Sequence, residues 1–387
     1  MGRLVALGLP GGAAYAEAIQ CIWDAGDAIA PLDDRLPKAE LERVMATLKP
    51  GAVIEADGEI RSLAGGEPVE PGDGLVIATS GTSGEPKAVI HTHKSIEASA
   101  LAIGAALNVD TSSDRWLACL PLAHIGGLAV VMRSLVTGTD VEVHNGFDAD
   151  AVIRAAQNGA TLTSMVTRAL NQVPAELFRT VLIGGAAPPP DRPKNVIATY
   201  GLTETGSGVV YDSVPLEGLE VSIGPPSPNP DGQTPAAGGP ASEAEIYLRG
   251  AMLFRGYRSL PDPFVDGGWF PTGDLGFHDA DGRLHVSGRR GDVIKTGGEM
   301  VWPEPVERLL LSRDDIEQVA IIGRPDPDWG HRVVAVVVVA EGHSEPELAE
   351  LREAVVAELP MWNAPKELQF VADIPRTSLG KVRRNLL

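Results

Sequence analysis

The run Thr79-Ser80-Gly81-Thr82-Ser83-Gly84-Glu85-Pro86-Lys87 gathers two glycines, four hydroxyls and a lysine into nine residues. Glycine adopts positive φ without strain and lets backbone N–H groups converge, hydroxyls add donors, and an ammonium adds charge. That composition suits the wrapping of an oligophosphate. The run is not a P-loop, whose spacing and Lys-Ser/Thr ending are absent; the same composition also serves in ordinary surface loops. Arg133 lies in the apolar stretch 128–136, where a lone cation requires an anionic ligand, a protein acid or a route to solvent. His91, His93 and His124 together could suggest zinc. Cys21 and Cys119 sit in apolar segments without metal-ligand spacing, which predicts two buried thiols in a reducing compartment.

A phosphate-wrapping loop must be delivered by a strand, and an apolar strand is predicted over 75–78. Ahead of it, an apolar run at 5–9 precedes Tyr15, Ala18, Ile19, Ile22 and Trp23, spaced as one face of a helix. A second such step joins Ile29 and Ala30 to the stripe Leu41, Val44, Met45 and Leu48. Strands are predicted at 116–120, 141–143, 161–165, 181–183 and 196–200, with helices between most of them. This α/β alternation predicts parallel sheets covered on both faces, with ligands at the carboxyl ends of the strands. Residues 215–239 are rich in Pro and Gly and lead into strand-like runs at 245–248 and 283–287, a β-rich part spanning about 215–287. Beyond it a helix at 306–311, strands at 318–323 and 333–340, and the stripe Leu348, Leu351, Val355 and Leu359 read as a small α+β domain. The expected division is an N-terminal domain at 1–287, a hinge at 288–291 and a C-terminal domain at 292–387.

The 387 residues are 44% apolar and 22% charged, the balance of a folded globular chain. Lys and Arg number 32 against 52 Asp and Glu, a net charge of −20 that repels nucleic acid and anionic bilayers in the absence of a basic patch. The most basic stretch, 381–384, is too short to be one. No signal peptide or membrane span is read, so no membrane insertion is expected and the cytoplasm is the expected location.

The 79–87 run resembles the phosphate-binding signature of the adenylate-forming superfamily, which includes acyl- and aryl-CoA synthetases, luciferases and the adenylation domains of peptide synthetases. Four further segments follow in that family's order. Thr199-Tyr200-Gly201-Leu202-Thr203-Glu204 resembles its Tyr-Gly-x-Thr-Glu motif, and Gly268-Trp269-Phe270-Pro271-Thr272-Gly273-Asp274 its Trp-Phe-x-Thr-Gly-Asp motif. Gly288-Arg289 with Ile294-Lys295-Thr296-Gly297-Gly298 resembles the interdomain segment, and Arg376-Thr377 with Gly380-Lys381 the C-terminal lysine motif. Within the superfamily, segments 121–134, 181–188, 200–215 and 256–273 are most similar to the o-succinylbenzoate-CoA ligases of menaquinone biosynthesis in their short actinobacterial form.

The resemblance implies an AMP-forming acid-CoA ligase using ATP, Mg²⁺ and coenzyme A on a small-molecule carboxylic acid. Its fold is a large N-terminal domain of layered sheets and helices plus a small, mobile C-terminal one. It implies phosphate contacts from Thr79, Ser80, Gly81, Thr82, Ser83, Gly84 and Lys87, with Glu204 on the metal and Thr203 on the α-phosphate. Tyr200, Gly201, Gly184, Gly185 and Ala186 would hold the adenine, and Asp274 and Arg289 the ribose. Lys381 would bridge the reactants, His124 would gate the acyl pocket, and Arg133 would meet a second carboxylate on the substrate. His-x-His after the loop is commonplace in that family, which argues against zinc. Members carry several dozen more residues ahead of the segment that starts here, implying a more open acyl pocket or one covered by a homodimer contact. Where they usually have Asp or Lys at the hinge, this chain has Gly291.

Overall fold

The computed structural model describes residues 2–80, 86–185, 188–189, 191–226, 243–376 and 382–387. It forms two compact units, Met1–Val221 with Leu248–Phe270, and Ser222–Tyr247 with Pro271–Leu387.

In the first unit, seven strands run in the order Gly256–Tyr257, Pro86–Thr92, Asp73–Ser80, Ala28–Pro31, Leu4–Leu7, Ala52–Ile54 and Ile60–Ser62. The inner strands are parallel, with Leu4 opposite Ala28, Val5 opposite Ala52 and Ile29 opposite Leu75. Leu4–Leu7 and Ala28–Pro31 are buried along their whole length, which is why they read as unbroken apolar runs. The margins depart from the parallel expectation: Pro86–Thr92 and Ile60–Ser62 both return antiparallel. Only five residues separate each from its predecessor, too few for the crossover that a parallel return needs.

A second seven-stranded sheet runs Val214–Pro215, Ser207–Tyr211, Val196–Leu202, Thr180–Ile183, Leu162–Met165, Arg115–Ala118 and Asp140–Val143. Val196–Leu202 and the strands after it in that order are parallel, and Ser207–Tyr211 turns back antiparallel. Leu117, Val152, Val181, Ile183 and Val196 share one of its cores. Helix His93–Ala106 begins with a reciprocal cap between Thr92 and Ser95, and helix Ile125–Thr137 ends at Gly138 with φ 71°.

In the second unit, residues 274–278 of the strand Phe270–His278 pair with Leu284–Arg289 in an antiparallel hairpin. Ile316–Asp326 and Gly330–Val339 form another, with Glu367–Phe370 added parallel to its second strand. Helices Pro303–Leu310 and Leu348–Glu358 close a core of Val306, Leu310, Ile321, Val333, Leu351 and Val355.

The cysteine expectation holds for one thiol of two. Cys119 is buried, and burial pushes its pKa up to about 11. Cys21 is exposed, because helix Ala13–Asp24 buries the face of Tyr15, Ile19 and Ile22 and Cys21 falls off that stripe. Among the described residues, no helix is long and apolar enough to cross a membrane.

Candidate active site

Strand Asp73–Ser80 continues past Ala78 because Thr79 pairs with Lys87 and Ser80 with Pro86 in the antiparallel ladder. Thr79 and Ser80 therefore belong to the strand, and Pro86 and Lys87 to its antiparallel neighbour; Gly81, Thr82, Ser83 and Gly84 lie outside the described residues. The short strand Gly256–Tyr257 pairs with Pro86–Thr92, placing Tyr257 opposite Val89. Lys87 is two positions from Val89, hence on the same face, and its Nζ lies 5.1 Å from the Tyr257 ring centroid.

Tyr200 and Gly201 lie in Val196–Leu202, whose register shifts between them. A Cβ on Gly201 would fall 2.2 Å from the Ser207 carbonyl oxygen, so the turn-back of the chain admits only glycine there. Gly184 is similarly closed off, 2.8 Å from Thr199 Oγ1, and Gly185 takes φ +83°; Ala186 lies outside the described residues. Thr203 and Glu204 occupy a single 3₁₀ turn, Thr203–Thr205.

Three bonds pin that turn from other elements. His91 Nε2 lies 2.7 Å from the Thr203 carbonyl oxygen, the Phe254 N–H donates to the Glu204 carbonyl at 2.8 Å, and the Tyr257 hydroxyl donates to Glu204 Oε1 at 2.7 Å. His91 is fully buried, and burial, only partly offset by the bond to Thr203, drives its pKa down to about 4. It is neutral at pH 7, and since a carbonyl only accepts, the proton sits on Nε2. Nδ1 faces the Ser95 hydroxyl at 3.3 Å. The three histidines go to separate partners: His91 to this turn, His93 edge-on to Trp23 at 5.1 Å, and His124 toward Asp33. Sequence reading missed the positioning role of His91 and passed over Tyr257 and Asp33. Among the described residues the Glu204 carboxylate accepts one hydrogen bond, at Oε1, and forms no ion pair. A carboxylate so placed is a hard oxygen donor suited to Mg²⁺.

His124 immediately precedes helix Ile125–Thr137 without a side-chain capping bond, and its Nε2 lies 3.7 Å from Asp33 Oδ2. Arg35 Nε and Nη2 each donate to Asp33 at 2.7 Å. Burial works to raise the Asp33 pKa, but the Arg35 bonds and charge outweigh it and hold the carboxylate ionised. Burial lowers the His124 pKa against the pull of Asp33.

Arg133 is only 3% exposed. Its guanidinium carbon lies 4.5 Å from the Trp116 ring centroid, and Nη2 donates to the Ser207 hydroxyl at 3.3 Å. Nε and Nη1 have no hydrogen-bond partner among the described residues. Beside it, His91, Ser99, Met132 and Gly206 help line a cavity of about 10 Å³, roughly the space of one water. Burial pushes the Arg133 pKa below its ordinary value.

In the second unit Asp274 and Arg289 are register partners, joined by an Arg289 Nε to Asp274 Oδ1 bond of 3.0 Å. The Asp274 N–H donates to Thr272 Oγ1 at 3.0 Å, and that hydroxyl donates to the Ile246 carbonyl at 2.8 Å. Gly291 has open space where a Cβ would stand and does not use the left-handed region. Lys381 lies outside the described residues.

The family model described as AMP-binding enzyme matches residues 65–258, and that of the AMP-binding enzyme C-terminal domain matches 305–381. A Mycobacterium tuberculosis protein called probable 2-succinylbenzoate--CoA ligase is 36% identical over 376 residues, covering 90% of this chain and 93% of that one. The 2-succinylbenzoate--CoA ligase of a Listeria monocytogenes strain is 32% identical over 394 residues, covering 92% and 82%. The solved o-succinylbenzoate CoA synthetase of Bacillus subtilis, in complex with its acyl-adenylate intermediate, matches with a TM-score of 0.85 at 27% identity, covering 99% of this chain and 87% of that one. The same enzyme with ATP and magnesium ion gives 0.85 at 26%, covering 100% and 89%.

Proposed function

The chain belongs to the AMP-binding enzyme family, and we propose that within it this protein joins o-succinylbenzoate to coenzyme A through an acyl-adenylate, using ATP and Mg²⁺. In the first half-reaction a carboxylate oxygen attacks the α-phosphorus, the bond to the bridging oxygen breaks, and pyrophosphate leaves. In the second, the coenzyme A sulfur attacks the acyl carbon, the bond to AMP breaks, and the thiol proton passes to solvent.

Lys87 and the 79–84 segment receive the outer phosphates, and Thr203 the α-phosphate. Glu204 holds Mg²⁺, which when bound neutralises phosphate charge. Tyr200, Gly201, Gly184, Gly185 and Ala186 hold the adenine; Asp274 and Arg289 hold the ribose. His124, oriented by Asp33, directs the attacking carboxylate. Lys381 offers an ammonium where negative charge accumulates in the transition state, and residues 292–387 turn about 288–291 between the half-reactions.

One observation carries the choice of acid: Arg133, a buried cation on an apolar helix, keeps two donor nitrogens, Nε and Nη1, unsatisfied among the described residues. The Trp116 ring offsets part of its desolvation cost, and a second substrate carboxylate supplies the missing acceptor. The test compares AMP release, with coenzyme A present, for o-succinylbenzoate and for 4-phenyl-4-oxobutanoate, which lacks only the ring carboxylate. Preference for the diacid is expected. Equal or better use of the monoacid would overturn the assignment and leave a ligase for some other aryl or fatty acid.

A further inference from the structure

We infer that Tyr257 is a positioning residue that keeps the Lys87 ammonium and the Glu204 carboxylate apart and holds that carboxylate in place; this rests on the reading that Lys87 serves phosphate and Glu204 serves the metal. The two opposite charges meet the same side chain by different routes. Lys87 lies over the ring, 5.1 Å from its centroid, and Glu204 Oε1 accepts from the hydroxyl at 2.7 Å. Both residues lie among those described, and no ion pair joins Lys87 to Glu204. A lysine has four rotatable carbons in its stem and would otherwise swing onto a carboxylate so near. Such a pair would neutralise both groups before a ligand arrives, blocking an oxygen that the metal needs and an ammonium that the phosphate needs.

The ring has the support this role demands. Backbone pairing of Tyr257 with Val89 puts it diagonal to Lys87 on one face of the ladder. Phe254 packs edge-on against it at 5.0 Å, and Phe254 is in turn flanked by Phe264 and Phe270. The Phe254 N–H also holds the Glu204 carbonyl, so the segment that carries the tyrosine is tied to the turn that carries the carboxylate.

The test reads binding on the full chain without any acid substrate, so no turnover occurs. Mn²⁺ binding in the presence of ATP is followed by electron paramagnetic resonance, and ATP binding in EDTA by calorimetry. Tyr257→Phe keeps the ring and removes one charge-assisted donor; it should weaken Mn²⁺ about ten-fold and leave metal-free ATP binding within about two-fold of wild type. Tyr257→Leu should weaken both, because Lys87 then falls onto Glu204. Adding Glu204→Gln to Tyr257→Leu should restore metal-free ATP binding by freeing the ammonium. Wild-type Mn²⁺ binding in the folded Phe variant, or no restoration in the double variant, overturns the inference. Wild-type Mn²⁺ binding in Glu204→Gln alone overturns the metal reading beneath it, and the inference with it.

Discussion

Acidification should unfold this protein partly through one residue, His91. Its imidazole is fully buried and neutral, with a pKa pushed down to about 4 against 6.5 for a free histidine. Between those values the unfolded chain takes up a proton that the native chain refuses, so stability rises with pH across the window. The contribution is complete above pH 6.5, is lost as the pH falls toward 4, and does not change further below that. At roughly 1.4 kcal/mol per decade, the gap is worth on the order of 3 kcal/mol, a large part of a typical domain's margin of about 5 to 15 kcal/mol. Carboxylates titrate nearby in pH, so the assay compares urea midpoints of wild type and His91→Gln at pH 7, 6, 5 and 4.5. Glutamine retains an N–H for the Thr203 carbonyl but cannot titrate. Wild type should be the more stable at pH 7, with the difference shrinking by about 2 to 3 kcal/mol at pH 4.5. A difference that is flat or widening with acid would refute the neutral, buried imidazole.

Lys381→Ala should slow acyl-adenylate formation by about 10² to 10³ and spare the transfer to coenzyme A from pre-made acyl-adenylate; equal loss in both half-reactions would remove the lysine from its assigned role. Arg133→Ala should lower kcat/KM for o-succinylbenzoate by at least ~30-fold, with ATP binding unchanged and a monoacid nearly indifferent. Gly291→Ala should be mild, since open space surrounds the position, whereas Gly291→Pro should suppress thioester formation far more than pyrophosphate exchange. A parallel fall in both rates for the proline variant would move the pivot elsewhere, with Asp292 the next residue to examine.

What could be read from the chain alone was whatever lies within a few residues of itself. The stripe of Tyr15, Ile19 and Ile22 announces its helix, and the apolar stretch around Arg133 marks a cation in need of a partner or a route to solvent, of which the structure closes the second by burying it. Periodicity does not announce register. That Thr79 faces Lys87 follows from strand pairing, and the expected loop therefore surrendered four residues, Thr79, Ser80, Pro86 and Lys87, to the ladder. His91 and Thr203 stand 112 positions apart, and Glu204 and Tyr257 53 apart. Nothing in the local pattern of a histidine within Val89-Ile90-His91 indicates the carbonyl it will meet, so a metal was the natural alternative for it. Cys21 was misplaced for a different reason: an apolar neighbourhood in sequence surrounds a helix on all sides, whereas burial claims only one.

The first unit is assembled from two stretches of chain that are separated in sequence by Ser222–Tyr247 of the other unit. During synthesis, Lys87 and Glu204 leave the ribosome well before Tyr257, so a nascent chain that ends near residue 221 exposes the flank of Pro86–Thr92 that Gly256–Tyr257 will cover. The first unit is thus no cassette that can be cut off at its first exit point. A gene split after residue 221 would yield a piece with an open strand edge prone to pairing with its own copies, while a split after residue 270 keeps both stretches together.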